Sequence, residues 1–246
     1  MLEGKKIVVV MPAYNAAKTI ARTLNEIPKH IVDEIILVDD FSNDNTIEVA
    51  KLLGIKHVIA HQYNKGYGGN QKTCFNYALS LNADIIVLLH PDYQYTPKLI
   101  TSIAGMIANN IFSAVLASRI LGKGAIKGGM PMYKYIANRA LTLFQNIFLN
   151  QKLSEYHTGY RAYSRELLLS IPFEKCSDDF IFDNQILAQI IFRKYEIGEI
   201  TCPTNYFSEA SSINIPKSIK YGLQCLGVSI QYLLHVWGWR NYFLLS

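Results

Sequence analysis

The chain has 246 residues, with 24 Lys+Arg against 19 Asp+Glu and a formal net charge of +5. Half of it is hydrophobic and only 17% is charged. This excludes a disordered chain, a collagen or a coiled coil, and the length suits one domain with a large core. The basic excess is small and no Lys/Arg run stands out, which argues against nucleic acid as partner. Four cysteines, Cys74, Cys176, Cys202 and Cys225, are far apart with no CxxC pair. A reduced, cytoplasmic setting without a structural zinc site is expected, and nothing at the start reads as a secretory leader.

Apolar β-rich runs alternate with amphipathic stretches. Strands are predicted at 7–11, 34–40, 56–61, 84–90 and 113–118, and helices at 17–27, 43–53, 69–81 and after Pro97. The strands are continuous apolar runs, so both faces of the sheet are covered. Such alternation predicts an α/β fold with a mostly parallel central sheet flanked by helices. From Gly122 the pattern changes. A flexible basic loop is predicted at 122–129, an apolar helix at 131–149 and a turn at 156–162, followed by a short helix. A further helix at 178–195 precedes a late strand at 196–203, expected to close an antiparallel edge. Two parts are expected: a catalytic unit over 1–213 and an apolar helical segment over 214–246.

In open α/β sheets ligands sit beyond the carboxyl ends of the strands. Four strand ends here carry polar clusters: Pro12-Ala13-Tyr14-Asn15, Asp39 to Thr46, Asn64 to Asn70, and His90 to Pro97. Adjacent Asp39 and Asp40 repel each other unless they meet a cation or hydrogen-bond donors. The glycine-rich stretch is neither GxGxxG nor a P-loop, which takes support from dinucleotide and ATP readings.

The set PAYN, ILVDDFSNDNT, NKGYGGNQ and LLHPDYQYTP resembles family 2 glycosyltransferases of the GT-A fold. The branch it looks most like is the dolichyl- and polyprenyl-phosphate sugar synthases. The resemblance implies a nucleotide-sugar donor, UDP- or GDP-linked, held by Pro12, Tyr14, Asn15, Asp39, Asp40, Gly66, Gly68 and Asp92. It implies a divalent cation, Mg²⁺ or Mn²⁺, on Asp92 with His90 and Gln94. His90 stands where the family's first DxD aspartate is usual, and Ala16 where many members have Glu. On the acceptor side it implies phosphate contacts from Arg119, Lys134, Arg139 and Arg161, with Arg119 also catalytic. Asp183 or Asp179 corresponds to the general base of inverting members. An acceptor phosphate is already ionised and needs no strong base, so either acid can instead be structural. Ser208 to Ser212 resembles the mobile loop after the last strand.

Residues 221–239 hold no Asp, Glu, Lys or Arg, but glutamines, His235 and glycines interrupt them. They read as an interfacial or a buried helix rather than a membrane span. With Lys123, Lys127, Lys217, Lys220 and Arg240 they make a basic apolar face, expected to rest on the cytoplasmic side of a membrane. A core or homo-oligomer helix is the alternative. The expected reaction is metal-dependent, inverting sugar transfer to a polyprenyl phosphate. A glycan hydroxyl as acceptor, or nucleotide-sugar binding without transfer, are the other two readings.

Overall fold

The computed structural model describes residues 1–206 and 215–245. Among them, seven strands make one sheet: β1 (Ile7–Ala13), β2 (Glu34–Asp39), β3 (His57–Ala60), β4 (Ile85–Leu88), β5 (Ala114–Ser118), β6 (Arg161–Ser164) and β7 (Ile197–Thr201). Their order is β3-β2-β1-β4-β6-β5-β7. The helices are α1 (Ile20–Glu26), α2 (Thr46–Leu52), α3 (Gly66–Ser80), α4 (Ile100–Ala108), α5 (Gly124–Lys127), α6 (Met132–Phe148), α7 (Arg165–Ser170), α8 (Phe182–Phe192) and α9 (Ile215–Val236).

The continuous apolar strands explain the layering. Along β1, Val8 and Val10 face one core with Phe75 and Phe182, while Ile7, Val9 and Met11 face a second with Ile20 and Ile103. Successive side chains point to opposite faces, so a strand covered on both sides must be apolar throughout. The first core lies under α3, α8 and α9, and the second under α1 and α4.

The mostly parallel sheet agrees with the expectation, and four local readings are corrected. The late strand β7 is parallel to β5. The antiparallel element is β6, inserted between β4 and β5 where only a turn was expected. The basic loop at 122–129 contains the short helix α5. The helix expected at 69–81 starts at Gly66, so the glycine-rich stretch forms its first turn. The Ser208 to Ser212 loop lies outside the described residues.

No helix among the described residues is long and apolar enough to cross a membrane. The last helix, α9, packs on α6 and α8, with Cys225, Val228 and Tyr232 in the first core.

Candidate active site

The carboxyl ends of β1 and β2 interlock. The Asn15 N–H donates to Ser42 Oγ at 2.8 Å, and Asn15 Oδ1 accepts the Asn43 N–H at 2.9 Å. Pro12 is buried at the end of β1, whereas Tyr14 is half exposed. Phe41, beyond β2, is equally exposed and has φ +65°, a strained setting for an aromatic residue. Both are exposed aromatic rings that follow the strand ends, and the sequence reading singled out only Tyr14.

Asp39 and Asp40 are both buried, and donors from the chain answer their repulsion. Asp39 accepts the Ser42 N–H at 2.9 Å and the Ser42 hydroxyl. Asp40 accepts the Lys65 and Gly66 N–H groups at 2.8 and 3.0 Å, and His61 Nδ1 lies 2.8 Å away. Asp40 thereby fastens the start of α3 to the end of β2. Gly66 and Gly68 turn their bare faces to the protein itself. A Cβ on Gly66 would stand 2.6 Å from the Asp178 carbonyl oxygen, and one on Gly68 2.3 Å from that of Ser177. The glycines admit this loop, and the Gly68 N–H donates to Asp178 O at 2.7 Å.

Beyond β4 the central side chains form a chain of hydrogen bonds. The Tyr67 hydroxyl donates to Asp183 Oδ2 at 2.8 Å and lies 3.2 Å from His90 Nε2. Its one hydrogen is spent on Asp183, so His90 Nε2 carries the proton and donates. The Tyr67 and His90 rings stack at 5.5 Å. Burial lowers the His90 pKa, against the pull of Asp92 and Asp183, so the ring is neutral near pH 7. Asp92 is partly exposed and its Oδ1 accepts the Gln94 N–H at 3.2 Å. No group of three or more His, Cys, Asp or Glu able to hold a metal gathers among the described residues. Asp92 and Gln94 carry oxygen donors of the kind a divalent cation takes, and its other ligands would come from diphosphate and water.

Arg161 was expected at a phosphate, but it is wholly buried and its guanidinium is consumed inside the fold. Its nitrogens donate to Thr158 O at 2.7 Å, Tyr156 O at 2.9 Å and Asp183 O at 3.0 Å, and Nη2 stands 3.6 Å from Asp183 Oδ2. It anchors Asp183 and the 156–158 loop and cannot reach a ligand. Asp183 is itself buried, and Gln71 Nε2 donates to its Oδ1 at 3.2 Å. Asp179 stands apart from this chain, accepting from Lys220 on α9 at 2.7 Å. Burial raises its pKa, but hydrogen bonds from Lys220 and the Phe180 N–H outweigh that and hold it low.

Arg119 follows β5 and pairs with Glu155, a fully buried acid that the sequence reading missed. Glu155 accepts the Arg119 backbone N–H and Nε–H, both at 2.8 Å, and Asn138 of α6 at 2.8 Å. Burial alone would raise the Glu155 pKa, yet Arg119 brings it below the ordinary value. Arg119 also donates to His157 O at 2.9 Å and to the Tyr206 hydroxyl at 3.2 Å. With Glu155 taking one hydrogen from Nε and one from Nη2, one of the five guanidinium hydrogens stays uncommitted among the described residues. Lys134 is partly exposed on α6, one turn before Asn138, and Arg139 is exposed. His157 Nδ1 lies 2.9 Å from the Tyr221 hydroxyl, which accepts from Asn184 at 2.6 Å.

Buried acids, a neutral histidine beside Asp92 and an anchored arginine thus share the carboxyl edge of a mostly parallel sheet. Residues 8–171 match the profile of Glycosyl transferase family 2. The chain is 30% identical over 239 residues to the UDP-N-acetylglucosamine–dolichyl-phosphate N-acetylglucosaminyltransferase of Methanococcus voltae, covering 87% of this chain and 92% of that one. An uncharacterised protein of Methanocaldococcus jannaschii is 29% identical, covering 87% of this chain and 88% of that one. Among solved structures, glucosyl-3-phosphoglycerate synthase of Mycobacterium tuberculosis with UDP superposes at TM-score 0.72 and 20% identity, covering 99% of this chain and 86% of that one. Its complex with Mg²⁺ and UDP gives the same TM-score, 0.72, at 97% and 81% coverage. The chain belongs to glycosyltransferase family 2 and has the GT-A fold.

Proposed function

We propose that this enzyme transfers a sugar from a nucleoside-diphosphate sugar, UDP-linked as in the names of its relatives, to a polyprenyl or dolichyl phosphate, with inversion at the anomeric carbon. One acceptor phosphate oxygen attacks C1 from the side opposite the leaving group. The C1–O(phosphate) bond forms as the C1–O(diphosphate) bond breaks, and its electron pair leaves on the nucleoside diphosphate. Asp92, with His90 and Gln94 beside it, would hold a divalent cation, which would neutralise charge on the departing diphosphate. Tyr14 and Phe41 flank the nucleoside, and Asn15, Asp39 and Asp40 hold the loops around it. Arg119, held by Glu155, turns its remaining N–H to the acceptor phosphate, with Lys134 and Arg139 adding positive charge.

The observation that carries the choice of acceptor is the state of the two candidate bases. Asp183 lies beneath the Tyr67 hydroxyl and is engaged by Gln71 and Arg161. Asp179 is held ionised by Lys220. Neither is set up to take a proton from a sugar hydroxyl, and a phosphate acceptor asks for none. The name of the Methanococcus voltae relative points to the same acceptor class. To test this, the chain is offered UDP- and GDP-sugars with a short-chain polyprenyl phosphate, with and without Mn²⁺. Nucleotide release and the product anomer by NMR are measured. Release that requires a glycan hydroxyl instead of the phosphate overturns the reading.

A further inference from the structure

Tyr93 stands out for its backbone. Among the described residues eight that are not glycine have positive φ, and seven of them are exposed. The eighth, Tyr93, has φ +58° and is only 6% exposed. A left-handed backbone is unfavourable for a residue with a Cβ, and a bulky aromatic lacks the short polar side chain that eases it in asparagine. Such a residue persists where its surroundings over-determine it. The place of the strain is informative, because Tyr93 sits between Asp92 and Gln94 in the turn beyond β4.

Helix α1 supplies the hold. The Arg22 guanidinium carbon lies 3.9 Å from the centre of the Tyr93 ring, and the Tyr93 hydroxyl donates to Glu26 Oε1 at 2.5 Å. Arg22 and Glu26 are one helical turn apart, so they grip the ring from one face of α1. Thr23 beside them is wholly buried, and its hydroxyl donates to Pro91 O at 3.1 Å. The stretch after the turn is fastened by main chain instead. Gln94 O accepts the Asn205 N–H at 3.1 Å, and Tyr95 pairs with Thr204. The turn is thus held at both ends, and its first half depends on side chains of α1. Within it Asp92 Oδ1 accepts the Gln94 N–H at 3.2 Å, a bond that closes around Tyr93. Each residue has only two soft dihedrals, so a Tyr93 φ that relaxed to negative values would redirect the chain and carry the Asp92 carboxylate off its place.

We propose that Tyr93 is a positioning residue: gripped by Arg22 and Glu26, it holds the strained turn that presents the Asp92 carboxylate to a cation on the donor diphosphate. The proposal rests on the reading of Asp92 as a cation ligand, and adds to it a support from α1, a helix that carries none of the site residues described above. The Tyr93 ring lies against α1, so it acts on the reaction through Asp92. Placement matters for such a ligand, because a hard cation that also holds diphosphate and water replaces a displaced carboxylate with solvent. Without the grip, the left-handed turn becomes a minor state, and apparent affinity for the cation falls by the fraction that remains competent. The intrinsic penalty of the left-handed backbone sets that fall at about tenfold.

The test reads the Mn²⁺ affinity of the full chain in saturating UDP by water-proton relaxation enhancement, beside nucleotide release from a UDP-sugar. Tyr93→Ala is expected to bind Mn²⁺ about tenfold more weakly and to need correspondingly more Mn²⁺ for half-maximal release. Tyr93→Phe keeps the ring under Arg22 and is expected to retain most of the affinity. Arg22→Ala/Glu26→Ala guards against a Tyr93→Ala that does not fold. It leaves the ring in place, should melt near the parent, and should weaken Mn²⁺ in the same direction. Parent-like affinity in the double variant, or in a folded Tyr93→Ala, overturns the proposal, and a lowered melt with unchanged affinity shows a structural role alone. Asp92→Ala separates the two readings. If it loses affinity while the Tyr93 and α1 variants keep it, the grip fails and Asp92 stands as a ligand. If it binds Mn²⁺ like the parent, or the parent binds none, the assignment of the cation to Asp92 fails and the proposal with it.

Discussion

The Tyr67 hydroxyl donates a 2.8 Å hydrogen bond to Asp183 Oδ2, joining the first turn of α3 to the first turn of α8. The bond comes from residues 116 positions apart and crosses the carboxyl edge of the sheet. It also fixes the proton on His90 Nε2, because the hydroxyl has one hydrogen to give.

Tyr67→Phe removes that hydrogen and leaves a buried carboxylate short of a donor. A hydrogen bond to a charged group contributes about 1.5–3 kcal/mol, and urea unfolding of the variant is expected to show a loss in that range. NMR of the His90 ring should show loss of the single Nε2–H tautomer. A variant with unchanged stability and an unchanged His90 tautomer contradicts the relay.

Gly68→Ala tests what the glycine-rich turn is for. The new methyl would sit 2.3 Å from the Ser177 carbonyl oxygen and 2.8 Å from Phe182 Cβ. Neither neighbour is a flexible side-chain tip, so about 1–3 kcal/mol of destabilisation is expected. Gly227→Ala is the control, since nothing lies within 4 Å of its Cβ in the middle of α9. There the substitution should be neutral or stabilising by up to about 1 kcal/mol. Equal melts for the two variants would contradict the close approach of the 177–178 loop.

The strand ends were legible because a polar cluster after a continuous apolar run has few structural explanations, and Asp39-Asp40 stands out for its repulsion. Strand β6 was not legible. Its residues Arg161–Ser164 begin with a cation and contain no apolar run, and sequence logic places a cation outside. Here three carbonyl oxygens and Asp183 offset the burial of Arg161. Glu155 was missed for a related reason: a single acid in a loop has no spacing signature until Arg119 is brought to it. The exposed apolar stripe of α6, Met132, Ile136, Leu143 and Ile147, is readable as periodicity, but periodicity does not say which side faces inward. Asn138, Thr142 and Gln145 take the inner side because Glu155 and Asn184 wait there.

Asp92→Ala removes a partly exposed carboxylate whose only described bond accepts the Gln94 N–H, so the fold should lose about 1 kcal/mol or less. Turnover should fall on the order of 100-fold or more, with loss of the response to Mn²⁺ or Mg²⁺ in a nucleotide-release assay. Chelation of the parent enzyme should reproduce the loss, and full turnover by the variant removes the metal role from Asp92.

Asp183→Asn separates structural from catalytic use of that acid when it is assayed on two acceptors. Buried Arg161 loses its charged partner, and removal of one partner of a buried pair costs about 3–5 kcal/mol. Rates on a polyprenyl phosphate and on a glycan hydroxyl should fall by the same factor once folded fraction is accounted for. A selective loss of on the order of 100-fold on the hydroxyl would identify a general base. Asp179→Asn breaks only the Lys220 pair, which is substantially exposed, and should leave both rates near the parent value.

His157 sets an acid limit on stability. Burial lowers its pKa from 6.5 to about 4, Glu155 pulling it up while Arg119 and Arg161 push it down. Its Nδ1 faces the Tyr221 hydroxyl, and Nε2 is buried without a partner among the described residues. Between those two pH values the unfolded chain takes up a proton that the folded ring refuses. Stability from this group is therefore complete above about pH 6.5 and declines as pH falls toward about 4, by roughly 3 kcal/mol in all. Below that window both states are protonated and the group contributes no further slope. Urea unfolding across the window should give a shallower pH dependence for His157→Gln than for the parent. Parallel slopes would show that another group, such as His90, whose pKa is also lowered by burial, dominates the acid response.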